Sequence, residues 1–193
     1  MAWWVAGGLL IVVLFALGYP VLTRSFGPEG GLQAPGSMGG GTDGAGVVDL
    51  TTMSLEEQGT ILFNRVMTSS SAGDTADVAF FLPKALIIYE QLGPSDPDGI
   101  YHFALLHQVG EDFEAAFAKA QEGLAQNPDY LLLLAVAAEA SAEQGDEARA
   151  RELYSHFLEV YEAEMALLRP GYEHHQNIFP VYKEEAQAFL GEG

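Results

Sequence analysis

Hydrophobic and polar positions fall into three regimes along the chain. From Ala2 to Leu22 the run AWWVAGGLLIVVLFALGYPVL carries no charged residue over 21 positions. At about 1.5 Å per residue, a helix of that length reaches roughly 30 Å, one hydrocarbon thickness. From Gly27 to Gly46 apolar positions nearly vanish: nine of the twenty residues are glycine and two are proline. Beyond Ser54 apolar residues return at helical spacing, with no alternating strand pattern.

The first regime reads as an uncleaved transmembrane anchor, residues 1–24. Trp3 and Trp4 at one end and Tyr19 near the other suit the aromatic belts of a bilayer. No Lys or Arg precedes the run and no small-x-small pattern follows it, which argues against a cleaved signal peptide. Arg24, the one charged residue close to the span, gives a slight lean of the C-terminal side toward the cytoplasm. The span holds no His, Asp, Glu or Asn, so it offers no ordinary side-chain ligand for a pigment and no proton relay. Residues 25–52 read as a Gly/Pro-rich linker. Its best apolar anchors for a neighbouring surface are Leu32 and Met38.

The third regime, 53–193, predicts an all-α domain. Ser54 and Glu57 stand at capping-box spacing, followed by Leu55, Ile61, Leu62 and Val66 on one helical face. VAFFLPKALIIYEQL predicts a second helix ending before Gly93-Pro94, with Pro83 expected to kink it or mark its first turn. LLLLAVAAEA, Leu131 to Ala140, is apolar almost all round and predicts a helix buried on several sides. After Arg169-Pro170-Gly171, the segment YEHHQNIFPVYKEEAQAFL predicts capping helices with an apolar face of Phe179, Tyr182, Ala186 and Phe189.

Within this domain small residues recur at a fixed period. Ala150 and Tyr154 follow the turn Gly145-Asp146, and Ala116 and Ala120 stand 34 residues earlier, trailed by Gly123, Leu124 and Pro128. Ala138 and Ala104 are related by the same step, and Ala85, Tyr89 and Pro97 mark a degenerate earlier unit. The pattern resembles the tetratricopeptide repeat, whose 34-residue unit is a pair of antiparallel helices. The resemblance implies two to three repeats, about 62–96, 97–130 and 131–164, in a right-handed stack capped by 165–193. It also implies an inner groove lined by Tyr101, Leu105, Gln108, Ala135, Glu139 and Glu143. Those residues are apolar or acidic, which suits an apolar or basic segment rather than an acidic peptide tail.

Composition narrows the chemistry. There are no cysteines, which removes disulfides, thiolate catalysis and Cys-based zinc sites. Formal net charge is -19, and a surface that acidic repels nucleic acid. No dinucleotide fingerprint, P-loop or nucleophile elbow is present. His102 and His107 are five apart and share a helix face poorly, while Glu173, His174 and His175 are neighbours that point apart. The segment DPDG, Asp96 to Gly99, lacks the later glycine and closing Glu of a calcium loop. The expectation is therefore no catalytic residue, no metal site and no cofactor held by this chain's own ligands, with pigments or lipids at most touching the span.

In overall plan the chain resembles bacterial membrane-anchored repeat proteins. It is similar to the repeat-bearing accessory subunit that helps hold a photosynthetic reaction centre within its light-harvesting rings, and the span ending GYPVLTR looks like the first span of cytochrome-c biogenesis repeat proteins. The resemblance implies a non-enzymatic structural subunit of a bacterial inner or intracytoplasmic membrane, with other subunits and lipids as partners. The alternative it leaves open is a transient assembly factor that uses the groove on clients.

Overall fold

The computed structural model describes residues 52–191. The anchor and linker readings, with Trp3, Trp4, Tyr19, Arg24, Leu32 and Met38, lie outside the described residues. Among the described residues no helix is long and apolar enough to cross a membrane.

The described chain is all helical. Its helices are α1 (Leu55–Ser71), α2 (Thr75–Leu92), α3 (Pro97–Val109), α4 (Phe113–Leu124), α5 (Leu131–Glu143), α6 (Glu147–Ala166) and α7 (Phe179–Gly191), with a 3-10 turn at Pro170–Tyr172 before α7. The first six form three successive hairpins, and one turn design joins each pair. Ala72-Gly73-Asp74, Gly110-Glu111-Asp112 and Gln144-Gly145-Asp146 each place a left-handed residue at the centre, with φ of 70°, 58° and 76°. The backbone N–H of each aspartate then donates back to the preceding helix: Asp74 to Ser69, Asp112 to His107 and Asp146 to Ser141, at 2.9, 3.0 and 3.0 Å. Each aspartate carboxylate accepts from the N–H three residues on and caps the next helix. Glycine takes the left-handed position freely in two turns, whereas Glu111 carries a side chain there. Asp112 and Asp146 are 34 residues apart.

Small residues set the spacing inside the stack. Ala85, Ala104, Ala116, Ala120, Ala138 and Ala150 are fully buried, as the 34-residue pattern predicts. At Gly123 a β-carbon would come within 2.5 Å of Leu133 Cδ1 and 3.2 Å of Ile100 Cγ2, so α4 meets α3 and α5 there without room for a side chain. Every residue of α5 from Leu131 to Ser141 is buried, which makes it the central slat of the domain. The Ser54–Glu57 capping box forms at the start of α1. α2 continues past Pro83, which lies neither at a terminus nor in the first turn. It is tolerated because it sits on the exposed face, where the carbonyl freed by its missing N–H faces solvent.

Beyond α6 the chain turns back onto the hairpins. Phe179, Tyr182 and Ala186 of α7 are buried, and Phe189 stacks on Tyr154 with ring centroids 5.0 Å apart. A polar network anchors this return. Arg169 grips the buried carboxylate of Glu164 through two nitrogens at 2.6 and 2.9 Å. The Tyr172 hydroxyl donates to the same carboxylate at 3.1 Å and accepts from the Leu131 N–H at 2.9 Å. Tyr130, the N-cap residue of α5, makes no side-chain cap bond, so Tyr172 supplies the cap from 41 residues away.

Candidate functional site

The residues expected to line a partner groove lie inside the domain, and the C-terminal helix contributes to their cover at Tyr101. Tyr101, Leu105, Gln108, Ala135 and Glu139 are all buried, and Glu143 is half-buried. This corrects the open groove: the helix that carries Phe179, Tyr182 and Ala186 packs mainly on α6 and also on α5, and reaches α3 at Tyr101. The Tyr101 and Tyr182 hydroxyls share a hydrogen bond at 3.1 Å across this seam.

Beneath α7 the seam holds two carboxyls. Glu139 of α5 and Glu185 of α7 lie close enough to affect each other's ionisation, with Glu143 nearby. Gln108 donates to Glu139 Oε2 at 3.1 Å, and the Tyr154 hydroxyl donates to Glu185 Oε1 at 2.7 Å. Burial first, and then the neighbouring carboxylates, push Glu139 well above the usual range; burial raises Glu185 as well. Burial and their mutual repulsion make it costly for both carboxyls to ionise together, so each favours its protonated form more than a free Glu does.

A second cluster forms where α3 begins. Asp96 caps α3, accepting from the Gly99 N–H at 2.8 Å, so DPDG is a helix start with Pro97 in its first turn. Asp98 and His102 then stand one helical turn apart. His175 reaches them from the loop before α7, its N–H bonded to the Tyr172 carbonyl and its carbonyl to the Ile178 N–H. The two imidazoles face each other, Nε2 to Nε2, at 3.3 Å. His175 Nε2 also lies 3.0 Å from Asp98 Oδ1. That oxygen is fully buried and accepts no hydrogen bond of good direction from any described residue, close as the imidazole is. One ligand atom from each of Asp98, His102 and His175 lies within 4.8 Å of the other two.

The walls of this cluster are aromatic. The His102 ring packs on Phe63 with centroids 4.3 Å apart, and Tyr101 meets His175 edge to face at 5.3 Å. Burial depresses His102 to about 4, so its imidazole is neutral at physiological pH. Against the cost of burial, His175 and His102 hold the Asp98 carboxyl below its usual range. The Tyr130 hydroxyl, buried and without a hydrogen bond among the described residues, stands beside the same turn. Gly171 makes that possible: a β-carbon there would collide with the Tyr130 hydroxyl and press to 3.3 Å on Asp98 Cβ.

The structure thus pairs histidines that the sequence places in different groups. His107 stacks on Phe103 at 5.0 Å and lies 3.9 Å from Asp112, apart from His102. Glu173 and His174 are exposed while His175 turns inward. The Asp-x-x-x-His spacing of Asp98 and His102 was the readable signal, because it sets two donors on one helix face. Comparison with protein-family models, with curated proteins and with solved structures finds no match.

Proposed function

We propose that the protein is a non-catalytic scaffold: a membrane-anchored, tetratricopeptide-like domain that braces a larger bacterial membrane complex through protein–protein contacts. The observation that carries this reading is the closed inner face. Tyr101, Leu105, Gln108, Ala135 and Glu139 are buried inside the domain, so they offer a client peptide no open surface. An assembly factor that works through that groove would have to undock α7 first. Contacts with partners therefore fall to the outer surface, to the N-terminal span and to the linker anchors Leu32 and Met38.

The outer surface carries apolar positions suited to this role. Ile87 on α2 is 57% exposed, and Leu167 and Leu168 after α6 are 58% and 82% exposed. Leu168 also holds a left-handed backbone, φ 48°, a costly conformation for a branched residue that presents its side chain outward. A permanent subunit covers such residues with a neighbour. In overall plan the chain resembles the repeat-bearing subunit of a reaction centre–antenna assembly, and on that resemblance its place is the bacterial inner or intracytoplasmic membrane.

Mild-detergent solubilisation of native membranes tests this. The expected result is co-purification with a membrane complex at fixed stoichiometry, through size exclusion and at moderate salt. Recovery of the free protein alone, or with sub-stoichiometric and varied clients, would overturn the structural-subunit reading.

A further inference from the structure

We propose that Asp98, His102 and His175 form a binding site for one divalent transition-metal ion of the zinc class, which cross-links the C-terminal segment to α3. The site is independent of the scaffold reading.

The donor geometry argues for it. Two nitrogens held about 2.0–2.1 Å from a tetrahedral zinc stand roughly 3.3 Å apart, and the two Nε2 atoms are 3.3 Å apart. Asp98 Oδ1 at 3.0 Å from His175 Nε2 supplies a second edge of suitable length, and the third edge, from Asp98 to His102, is within 4.8 Å and would close to roughly 3.3 Å around a bound ion. Hydrogen bonding alone leaves this trio unsettled. A single N–H on His175 cannot serve both the His102 nitrogen and the Asp98 oxygen, and the buried oxygen is the one left without a bond. A cation satisfies all three lone pairs together. The donor set selects the class, because two imidazoles and one carboxylate suit zinc, cobalt or nickel, whereas calcium and magnesium take oxygen ligands.

The placement is that of a staple. Asp98 and His102 are fixed on a helix and on packed aromatic walls, while His175 belongs to the loop that leads into α7, 73 residues away from His102. Three protein ligands leave a fourth position for water or for a group from a partner. Metal binding would therefore hold down the C-terminal segment.

The test uses full-length protein in mild detergent, stripped with a chelator, and the metal alone as probe. Cobalt(II) should bind at one equivalent with the intense visible absorption of a four-coordinate ion, and zinc should displace it stoichiometrically and raise Tm. His102→Gln, His175→Gln and Asp98→Asn should each weaken zinc binding by at least about 100-fold, since loss of a mere supporting group already costs 10–100-fold. His156→Gln, whose imidazole instead pairs with Asp129 at 2.8 Å, should bind as the wild type does. Should His102→Gln fail to fold, Asp98→Asn decides, because that carboxylate is only partly buried. The proposal is overturned by two results. One is a weak six-coordinate cobalt spectrum in the wild type, the signature of the acidic surface. The other is wild-type affinity in Asp98→Asn and His175→Gln.

Discussion

The carboxyl pair beneath α7 makes a prediction whose size does not depend on knowing either pKa. If Glu139 and Glu185 share a proton in the folded protein, the native state holds that proton at pH values where the unfolded chain has released it. The ordinary value for Glu is 4.5, and both groups are raised above it. Folded-state pKa values above the unfolded ones mean that the native state binds more protons, so stability falls as pH rises through the window between them. For one proton the slope is about 1.4 kcal/mol per pH unit. His102 acts in the opposite sense. Its folded value of about 4 lies below the ordinary 6.5, so stability climbs with pH between those limits and is level above them. The two effects oppose each other below 6.5 and separate above it. The tyrosines of the seam, Tyr154 and Tyr182, are raised from 10.0 and enter only beyond that value.

The informative reading is therefore the difference between the wild type and Glu139→Gln from pH 4.5 upward, in which the His102 contribution cancels. The amide keeps the shape of a protonated Glu. Its oxygen can accept from Gln108, and its NH2 can donate to Glu185, replacing the shared proton with a fixed one. Glu185, still bonded by Tyr154, is then free to ionise. Residues 53–193 are expected to fold alone, and urea unfolding followed by far-UV circular dichroism reads the slope at each pH. Relative to the variant, the wild type should lose about 1.4 kcal/mol per pH unit over part of this range, and Glu139→Gln should be more stable at the alkaline end. A difference between the two that does not move with pH would refute the shared proton.

Three further outcomes test other parts of the structure. Ala116→Trp or Ala150→Trp, at fully buried contacts between hairpin helices, should destabilise the domain by roughly 1–3 kcal/mol in the same unfolding assay. Tyr172→Phe removes the bond to the Leu131 N–H and the donor to Glu164, and should cost about 1–3 kcal/mol for the buried groups left unmet, with the far-UV spectrum unchanged. The double change Leu167→Ser/Leu168→Ser should leave thermal melting unaltered yet reduce recovery with the membrane complex; unchanged stoichiometry would show that this turn is not a contact.

The hairpins were legible because one local rule repeats. Aspartate at the end of each turn caps the next helix, and alanines at 34-residue spacing mark close crossings, so Ala116 and Ala150 could be placed from the sequence alone. The apolar face of α7 was legible for the same reason, although its helix starts at Phe179 and not at the head of the segment. What could not be read was where that face docks. Periodicity says that a stripe is covered, not by which partner, and so Tyr101, Leu105 and Gln108 looked like an open groove when they are buried inside the domain. Both polar clusters share this origin. His175 meets Asp98 and His102, and Glu185 meets Glu139, only because the C-terminal segment returns across distant parts of the chain.

That return differs in kind from the seams between hairpins. Helix crossings at Ala116, Ala120 and Ala150 are closed by small apolar side chains, which offer nothing to titrate or ligate. The seam under the C-terminal segment holds two imidazoles and a carboxylate at one end, and two buried carboxyls at the other. The proposed metal ion would act on the first cluster and protonation acts on the second, whereas apolar packing depends on neither. The two proposed roles, a permanent brace and a client-binding factor, differ in whether α7 must undock, and metal removal at alkaline pH is the condition under which undocking should be sought.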